Sequence, residues 1–454
     1  MGPGSLQHGY GWRTAPVNYN KHAIDFILNT RWEDLPERVQ HQTRRCLLDA
    51  LGALIAGHNT PVGGLMEAMA AEQFPGDQAR ILVSGTRVSA SGATLANGFA
   101  GNALDIDDGY RPTMGHPGAC VLPPVLTAAQ MSGCSGKAML SALAVGYEIG
   151  TRAGLIRHAT YETYHSSGSW GAISGAAAAG KLMGLDAGTL GHALGAAEYH
   201  APIAPMMKCI EVPGMGKDSI GWGCMVAVMS VVMAQKGFTG INPIFDDTPE
   251  DGWVASLGKD WEILNLYFKP YSACRWAQPG VDGVLKLMRE KGILPEDIET
   301  IRVYTFEESA ALSTAYPENT EEAQYNIAFP IAAALLDGEV GPGQNLPPRL
   351  MDIDIRRMMD KVSIVAQPRF QENFPARAES EVEITTRGGD VHNSGIMGAR
   401  WGADCPPDDG ELAEKFLWLT GPVLGKEKAQ GLKNLVFDFD RAEDLERFFS
   451  LCIK

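Results

Sequence analysis

The sequence predicts a mainly α-helical protein, with a large all-helical domain and a smaller α+β domain, and three observations lead to this fold class. The chain has 454 residues, more than one ordinary domain holds, so two or three structural units are expected. Its 45% hydrophobic and 20% charged residues are typical of a globular protein and exclude a disordered chain. Apolar residues recur at helical spacing up to about residue 260, and strand-like alternation begins only after that point.

Helical patterns dominate the first part of the chain. The Ala/Gly-rich stretches suit helices that pack closely against others, and residues 219–236 are apolar nearly all round, which is typical of a central buried helix. No repeat of fixed period is visible. The helices predicted here span residues 35–54, 117–136, 137–154, 172–185, 190–197 and 219–236.

Strand patterns mark the later part. Residues 300–306 alternate, with Ile301, Val303 and Thr305 on one face, and 361–365 and 381–386 behave in the same way. Arg387-Gly388-Gly389-Asp390 predicts a hairpin turn after the last of these. Helices are predicted at 280–291, 327–336, 411–417, 426–435 and 442–449. We therefore divide the chain into an all-α domain (18–265), an α+β lid domain (266–405) and C-terminal helices (406–454) that pack back on the first domain.

The formal net charge of −16 argues against nucleic acid or an anionic membrane as the main partner. An acidic substrate would therefore need a locally basic pocket. Eight cysteines without a CxxC pair predict free thiols rather than a disulfide framework or a zinc site. The first residues lack the basic and apolar regions of a signal peptide, and no uncharged stretch is long enough and free enough of proline to span a membrane. We expect a cytoplasmic protein without a membrane segment.

The densest chemical signal lies between residues 101 and 124. Asp105, Asp107 and Asp108 fall within four residues, followed by Arg111 and by His116 in a Gly-His-Pro-Gly turn. A histidine on such a loop is accessible, its pKa suits proton transfer near neutral pH, and a nearby carboxylate can set its tautomer. Two alternatives remain open: the aspartates only cap the next helix, or they bind Mg²⁺, although the EF-hand order of ligands is absent and the Asp-x-Asp-Asp pattern also occurs in some terpene cyclases.

Two further segments and two histidines are candidates. Lys217 follows a glycine-rich turn before the apolar helix at 219–236, where helix amides and an ammonium group both favour an anion. The spacing is not that of a Walker A loop. Arg275 lies at the proposed domain boundary, where it can bind a carboxylate in a cleft or form an interdomain salt bridge. For His165 and His200, the sequence leaves open whether the side chain has a functional role or only packs against its neighbours.

These segments, taken in order, resemble the MmgE/PrpD family, which includes 2-methylcitrate dehydratase, cis-aconitate decarboxylase and iminodisuccinate epimerase. The matching stretches are 44–57, 102–126 around Gly-His-Pro, 146–184, 193–240, 269–283 and 324–338. The resemblance implies a large all-α domain with a smaller α+β lid domain, a homodimer, a site between the domains, and no cofactor or metal. The active-site aspartate, histidine and lysine of the family fall on Asp105, His116 and Lys217.

The chain departs from the family pattern at four positions. Gly109 stands where a threonine is frequent, and Ile220 where a histidine follows the lysine. Gln278 replaces the histidine of decarboxylase-like members, and Phe329 takes the place of a tyrosine. The resemblance therefore predicts the fold and the location of the site, but it does not by itself predict the reaction.

The functional hypothesis is a lyase, specifically a dehydratase of a small hydroxy di- or tricarboxylic acid, that removes a proton next to a carboxylate. His116 is expected to be the general acid/base, Asp105 to orient or tune it, and Lys217 to anchor a carboxylate or transfer a second proton. An epimerase is the alternative, decarboxylation is less favoured because of Gln278 and Phe329, and an inactive binding protein is a third class. The expected substrate-binding residues are Arg111, His165, Arg275 and Gln278.

Overall fold

The computed structural model describes residues 18–454, so the absence of a signal peptide was predicted for residues that lie outside the described part. Within it the chain is mainly helical with small sheets, and the predicted fold class is confirmed. The helices before residue 256 are α1 (Tyr19–Asn29), α2 (Glu37–Gly57), α3 (Pro61–Gln73), α4 (Ala90–Asn102), α5 (Pro117–Ser132), α6 (Gly136–Thr160), α7 (Gly168–Leu182), α8 (Ala187–His200), α9 (Met206–Glu211), α10 (Ile220–Gln235) and α11 (Asp251–Ala255).

Helix α7 lies at the centre of this helical part, packed against α5, α6 and α10. Its small residues allow the close approach that the sequence predicts. A side chain at Gly171 would meet Cys120 Sγ at 2.4 Å, and one at Gly175 would meet Pro124 Cγ at 2.6 Å. Larger residues at these two positions would push α5 away from α7. They would also displace the candidate histidine, His116, because it directly precedes α5.

The later part of the chain is built around one four-stranded sheet with the order β6-β5-β7-β8. The strands are β5 (Ile298–Thr305), β6 (Val362–Ala366), β7 (Glu379–Thr386) and β8 (Val391–Gly398), and β5 pairs with β6 in parallel while the other pairs are antiparallel. Its helices are α12 (Gln278–Lys291), α13 (Glu307–Ala310), α14 (Thr320–Gln324), α15 (Ala328–Asp337), α16 (Pro342–Asn345), α17 (Ile353–Met359) and α18 (Pro368–Gln371). Ile301 and Val303 are buried beneath α12 and α15 in a second hydrophobic core, because alternate residues of a strand share a face.

The C-terminal segment packs against the hydrophobic core of the first, helical part of the chain. It forms α19 (Asp409–Leu424), α20 (Lys426–Phe437) and α21 (Glu446–Leu451), and α19 packs along α2. The buried ammonium group of Lys415 donates to Asp49 on α2 and to the backbone oxygen of Ile106. The C-terminal segment therefore stabilises the aspartate-rich loop through the hydrogen bond from Lys415 to Ile106.

Two pairs of two-residue strands were not predicted. β1 (Ala79–Arg80) pairs with β2 (Arg87–Val88), and β3 (Gly109–Tyr110) pairs with β4 (Leu266–Tyr267), both antiparallel. Two residues are too few to show an alternating pattern, so the sequence carries no periodic signal for them. The β3–β4 pair matters for function, because it joins the aspartate-rich loop to the segment that leads into the second domain. In the described part of the chain, no helix has the length and apolar character needed to cross a membrane.

Candidate active site

The loop that follows α4 provides the frame of the site. Four consecutive backbone carbonyl groups, those of residues 102–105, each accept a hydrogen bond from a side chain elsewhere in the chain. The first two belong to the C-terminal end of α4, where carbonyl groups lack partners inside the helix and carry partial negative charge that attracts lysine; the other two lie in the loop beyond it. Asp105 has a left-handed φ of +52°, which is unusual for a residue other than glycine and common at functional sites. The donors to these carbonyls are, in order, Lys217, Gln324, Ser272 and Lys269.

His116 follows this loop as the residue before α5, and it is 7% exposed. Its Nδ1 lies 3.0 Å from Asp107 Oδ2, and its backbone N–H donates to Ser167 Oγ at 3.1 Å. Burial alone would lower the pKa of His116, but the carboxylates of Asp107 and Asp218 together outweigh that effect, so the net direction is upward. We expected Asp105 to orient this ring; the structure corrects that assignment, because Asp107 makes the hydrogen bond.

Asp105 is instead the centre of a charge cluster. Burial would raise its pKa, but Lys269, Lys217 and His116 hold it well below the usual range, so the carboxylate is ionised. The Nζ of Lys269 lies 3.1 Å from Asp105 Oδ2, and the Nζ of Lys217 lies 3.7 Å from Oδ1. The Nε2 of His116 is 3.6 Å from the same Oδ1.

Lys217 has a left-handed φ of +38° and a buried ammonium group. The group donates to the backbone oxygen of Asn102 and, at 2.7 Å, to Gln324 Oε1. It therefore faces the end of α4 rather than the first turn of α10, which was the expected place for an anion. Lys217 ties the loop to the second domain, and it is not among the residues that line the cavity beside His116.

Lys269 begins the matching stretch 269–283, but it was not identified from the sequence as a site residue. It is 1% exposed, and Asp105 outweighs the effect of burial so that its pKa is raised. Because the loop and this segment are 164 residues apart, no local pattern indicates that they meet.

A cavity opens beside these charges, with about 460 Å³ of space counted together with its opening to solvent. One part of its wall is polar and charged, and another part is apolar. Four of the predicted site residues line it, namely Asp105, Arg111, His116 and Arg275. The other lining residues are Met114, Tyr164, Met206, Ile210, Asp218, Tyr267, Lys269, Cys274, Trp276 and Tyr325.

Arg111 keeps donors available for a ligand. Its Nε donates to the backbone oxygen of Pro375 at 2.6 Å, and its guanidinium group lies over Phe374 at 5.5 Å. Its Nη2 is buried and has no hydrogen-bond partner among residues 18–454, and burial lowers the pKa of the group. An unpaired buried cation is costly, so the incoming carboxylate of a ligand would be stabilised there.

Arg275 and Gln278 differ from expectation. Arg275 donates to the backbone oxygens of Phe268, Ala399 and Arg400 and to Gln278 Oε1, so its guanidinium group joins two chain segments, 268–278 and 399–400. Gln278 donates to two further backbone oxygens and does not line the cavity. The expectation that Gln278 binds substrate is corrected, because its amide is used inside the fold.

His165 is also placed outside the cavity lining. Its Nδ1 lies 2.7 Å from Ser169 Oγ, and its ring stacks on His158 with centroids 4.3 Å apart. Burial lowers its pKa, which favours the neutral imidazole. The packing alternative for His165 therefore fits the structure better than substrate binding.

Asp218 and Tyr325 are cavity residues that sequence reasoning missed. Asp218 is next to Lys217 in the chain, and its carboxylate lies 3.8 Å from His116 Nε2. The family-pattern tyrosine was assigned to Phe329, which is fully buried in the second core. Tyr325, four residues earlier, brings a phenol into the cavity, and its hydroxyl donates to Asp218 Oδ2 at 3.5 Å.

A metal ion has one candidate set of ligands among residues 18–454. Asp105, Asp107 and His116 offer three ligand atoms within 4.8 Å of one another. The two ammonium groups beside Asp105 already neutralise it and would repel a cation. The arrangement of charge suits an anionic ligand better than a metal ion.

Comparison with known proteins agrees with the architecture. The family model for the MmgE/PrpD N-terminal domain matches residues 21–264, and the model for the C-terminal domain matches residues 271–440. A cis-aconitate decarboxylase-like protein of Aspergillus oryzae is 23% identical over 96% of this chain and 98% of its own length. Cis-aconitate decarboxylases of Aspergillus terreus (22% identical, 93% of each chain) and Homo sapiens (25% identical, 90% of this chain and 89% of the relative) are also similar.

Proposed function

The chain belongs to the MmgE/PrpD family, and from this premise we propose that it is a cofactor-independent lyase that dehydrates a small hydroxy di- or tricarboxylic acid. One observation carries the proposal. A buried histidine whose Nδ1 is held by a carboxylate turns its Nε2 to a cavity that also contains Lys269 and Arg111. Such a site joins a proton-transfer group to cations that bind carboxylates.

The proposed reaction starts with removal of the proton next to a carboxylate. His116 takes this proton on Nε2, and Asp107 stabilises the imidazolium that forms. The developing carbanion is an enediolate of the neighbouring carboxylate, whose charge Lys269 and Arg111 stabilise. The electron pair then forms a double bond and expels the hydroxyl group on the adjacent carbon, which takes the proton back from the His116 imidazolium, so that water leaves and His116 is neutral again.

Decarboxylation is the second candidate, and the names of the similar proteins favour it. It was ranked low because Gln278 and Phe329 replace groups of decarboxylase-like members. Neither residue lines the cavity, whereas Tyr325 does, so these two replacements weigh less than they do in the sequence alone. An epimerase, which would only exchange the proton between two faces of the same carbon, is a third candidate.

Proton NMR in D₂O distinguishes these reactions. The protein is incubated with citrate, 2-methylcitrate, malate, cis-aconitate and iminodisuccinate, and the variant His116→Ala is the control. New vinyl signals from a hydroxy acid, or vinyl signals lost by hydration, support the dehydratase. Loss of carbon dioxide from cis-aconitate supports the decarboxylase, and deuterium exchange without a new compound supports the epimerase. Binding of a panel acid without any turnover would contradict all three and favour an inactive binding protein.

We also propose that two copies of the chain associate through the outer face of α10. Trp222 on this helix is 43% exposed, and Val212, Met215 and Phe238 on the adjoining loops are exposed too. Analytical ultracentrifugation should give a dimeric mass that Trp222→Glu converts to a monomeric one. Ile396→Glu, at an exposed strand position in the second domain, should leave the mass unchanged. A monomeric mass for the unmodified chain would contradict the proposal.

A further inference from the structure

We infer that Asp218 selects substrates that carry a hydrogen-bond donor, a hydroxyl or a protonated amine, in addition to their carboxylates. The inference rests on the proposed function and assigns the recognition of the substrate's hydroxyl group, or of an amine in its place, to one residue. Asp218 lies in the segment between α9 and α10, lines the cavity, and is 2% exposed. Its role is to bind and discriminate, which is separate from the proton transfer assigned to His116.

The carboxylate of Asp218 is held in one orientation by Ser167. Oδ1 accepts hydrogen bonds from Ser167 Oγ at 2.9 Å and from the backbone N–H of the same residue at 3.3 Å. Ser167 Oγ in turn accepts the backbone N–H of His116. The carboxylate and the proposed acid/base group are therefore fixed relative to each other through one serine.

The second oxygen of Asp218 keeps room for another donor. Oδ2 accepts one hydrogen bond, from the hydroxyl of Tyr325 at the long distance of 3.5 Å. His116 Nε2 lies 3.8 Å away, too far for a direct hydrogen bond. A carboxylate oxygen has two lone pairs, so Oδ2 can accept a second hydrogen bond from a donor that lies between Asp218 and His116.

Asp218 differs from Asp105 in its surroundings, although both line the same cavity. Asp105 is paired with two lysines, whereas within the described residues no lysine or arginine nitrogen lies within 4 Å of Asp218. An unpaired carboxylate in a buried site repels a substrate carboxylate and is poorly served by an apolar group. It fits a hydroxyl or ammonium donor.

The cavity therefore has two complementary sides. Arg111 has a buried Nη2 that finds no partner in the described part of the chain, and Lys269 has three donors of which two are used by Asp105. These spare donors suit carboxylates, and the spare acceptor on Asp218 suits a donor. A ligand with both kinds of group satisfies both sides, whereas one with carboxylates alone leaves Asp218 Oδ2 incompletely bonded, and a site built this way discriminates strongly.

Two pairs of acids that differ only by a hydroxyl group test this inference without requiring turnover. Citrate is compared with propane-1,2,3-tricarboxylate, and malate with succinate, by isothermal titration calorimetry. The unmodified protein should bind the hydroxy acid of the better-bound pair about tenfold or more tightly, because a hydrogen bond to a charged group is involved. Asp218→Asn should reduce this ratio to about threefold or less. Arg111→Gln should weaken both acids of a pair alike and keep the ratio.

The outcomes separate the inference from the proposed function. Equal affinities within each pair overturn the inference and leave the polycarboxylate function standing. A ratio that survives in Asp218→Asn overturns the assignment to this residue. Failure of all four acids to bind would overturn the function, and the inference with it. If Asp218→Asn does not fold, Ser167→Ala takes its place, because it frees the carboxylate without removing its charge; an unchanged ratio there overturns the inference.

Discussion

Asp107 and Asp108 are neighbours in the chain and both are fully buried, yet they face two different clusters. Asp107 belongs to the cavity cluster, with His116 and the lysine-bound Asp105. Asp108 belongs to the core cluster, where it accepts the hydroxyl of Tyr147 at 2.6 Å and the backbone N–H of Gly118 at 2.8 Å. The side chains of these two neighbours thus point in different directions, so one loop supplies both clusters.

The two clusters hold protons differently. His116 outweighs the effect of burial on Asp107, so the pKa of that carboxyl is lowered. Burial and the charge of Asp49 raise the pKa of Asp108 to about 7, and no lysine, arginine or histidine among residues 18–454 forms an ion pair with it. The comparison teaches that burial beside another carboxylate favours the protonated form of Asp108, and that nearby cationic groups keep Asp105 and Asp107 charged.

Removing the histidine from the cavity cluster should have the largest effect. His116→Ala should lower kcat about 10²- to 10⁴-fold, the usual contribution of a general acid/base. The matched control is His200→Ala, because His200 is an exposed histidine at the end of α8. Steady-state kinetics on the acid found by NMR measure both variants. Full turnover by His116→Ala would remove the histidine from the mechanism.

Removing a cation should make Asp105 behave as Asp108 does. Lys269→Met leaves a buried carboxylate with weaker compensation, so the free energy of unfolding should fall by about 3–5 kcal/mol in urea denaturation. Adding Asp105→Asn should recover part of this loss, because the uncompensated charge is gone. Equal losses for the single and double variants would contradict the charge-pair account.

The partner of His116 can be tested by the pH dependence of activity. The proposed base must be neutral, so kcat/KM should rise as pH increases through the raised pKa of His116. Asp107→Asn removes the main cause of the raised pKa, so this rise should move to lower pH. Asp105→Asn removes no hydrogen bond to the ring. A larger shift in Asp105→Asn than in Asp107→Asn would restore the original assignment of Asp105.

The smallest expected effect concerns the core cluster. The pKa of Asp108 is raised in the folded protein, so it binds a proton more tightly when folded than when unfolded. Its contribution to stability is present below about pH 4 and is lost as pH rises through about 7. Asp108→Asn mimics the protonated form and should flatten this trend, by a few kcal/mol at most. Urea denaturation at pH 5 and pH 8 measures it, and an unchanged trend would contradict the raised pKa.

Much of the fold could be predicted from residue patterns. The long helices α2, α5, α6 and α10 carry continuous apolar or periodic signals, and the hairpin after β7 has a turn sequence with two glycines. The two-residue strands β3 and β4 could not be predicted, because their pairing joins residues 109–110 to 266–267 and depends on distant backbone alone.

The sequence indicated a loop for the candidate site, but it did not show which side chains contact one another there. The density of Asp105, Asp107, Asp108, Arg111 and His116 indicated a loop that lines the cavity in the structure, since polar residues so close together need shared partners. Spacing alone did not show which aspartate meets the histidine. Asp105 and Asp107 are two residues apart, and the left-handed backbone at Asp105 turns its side chain to the lysines instead.

The sequence by itself determined the fold class, the family and the loop that carries the histidine, because these follow from periodicity, from ordered motifs and from local density of chemical groups. Only the tertiary structure decided that Lys269 neutralises Asp105, that Asp218 faces His116, and that Gln278 and His165 are used inside the fold. The physical reason is that a buried polar group must find a partner, and many of these partners come from residues that are far apart in the chain and adjacent only after folding.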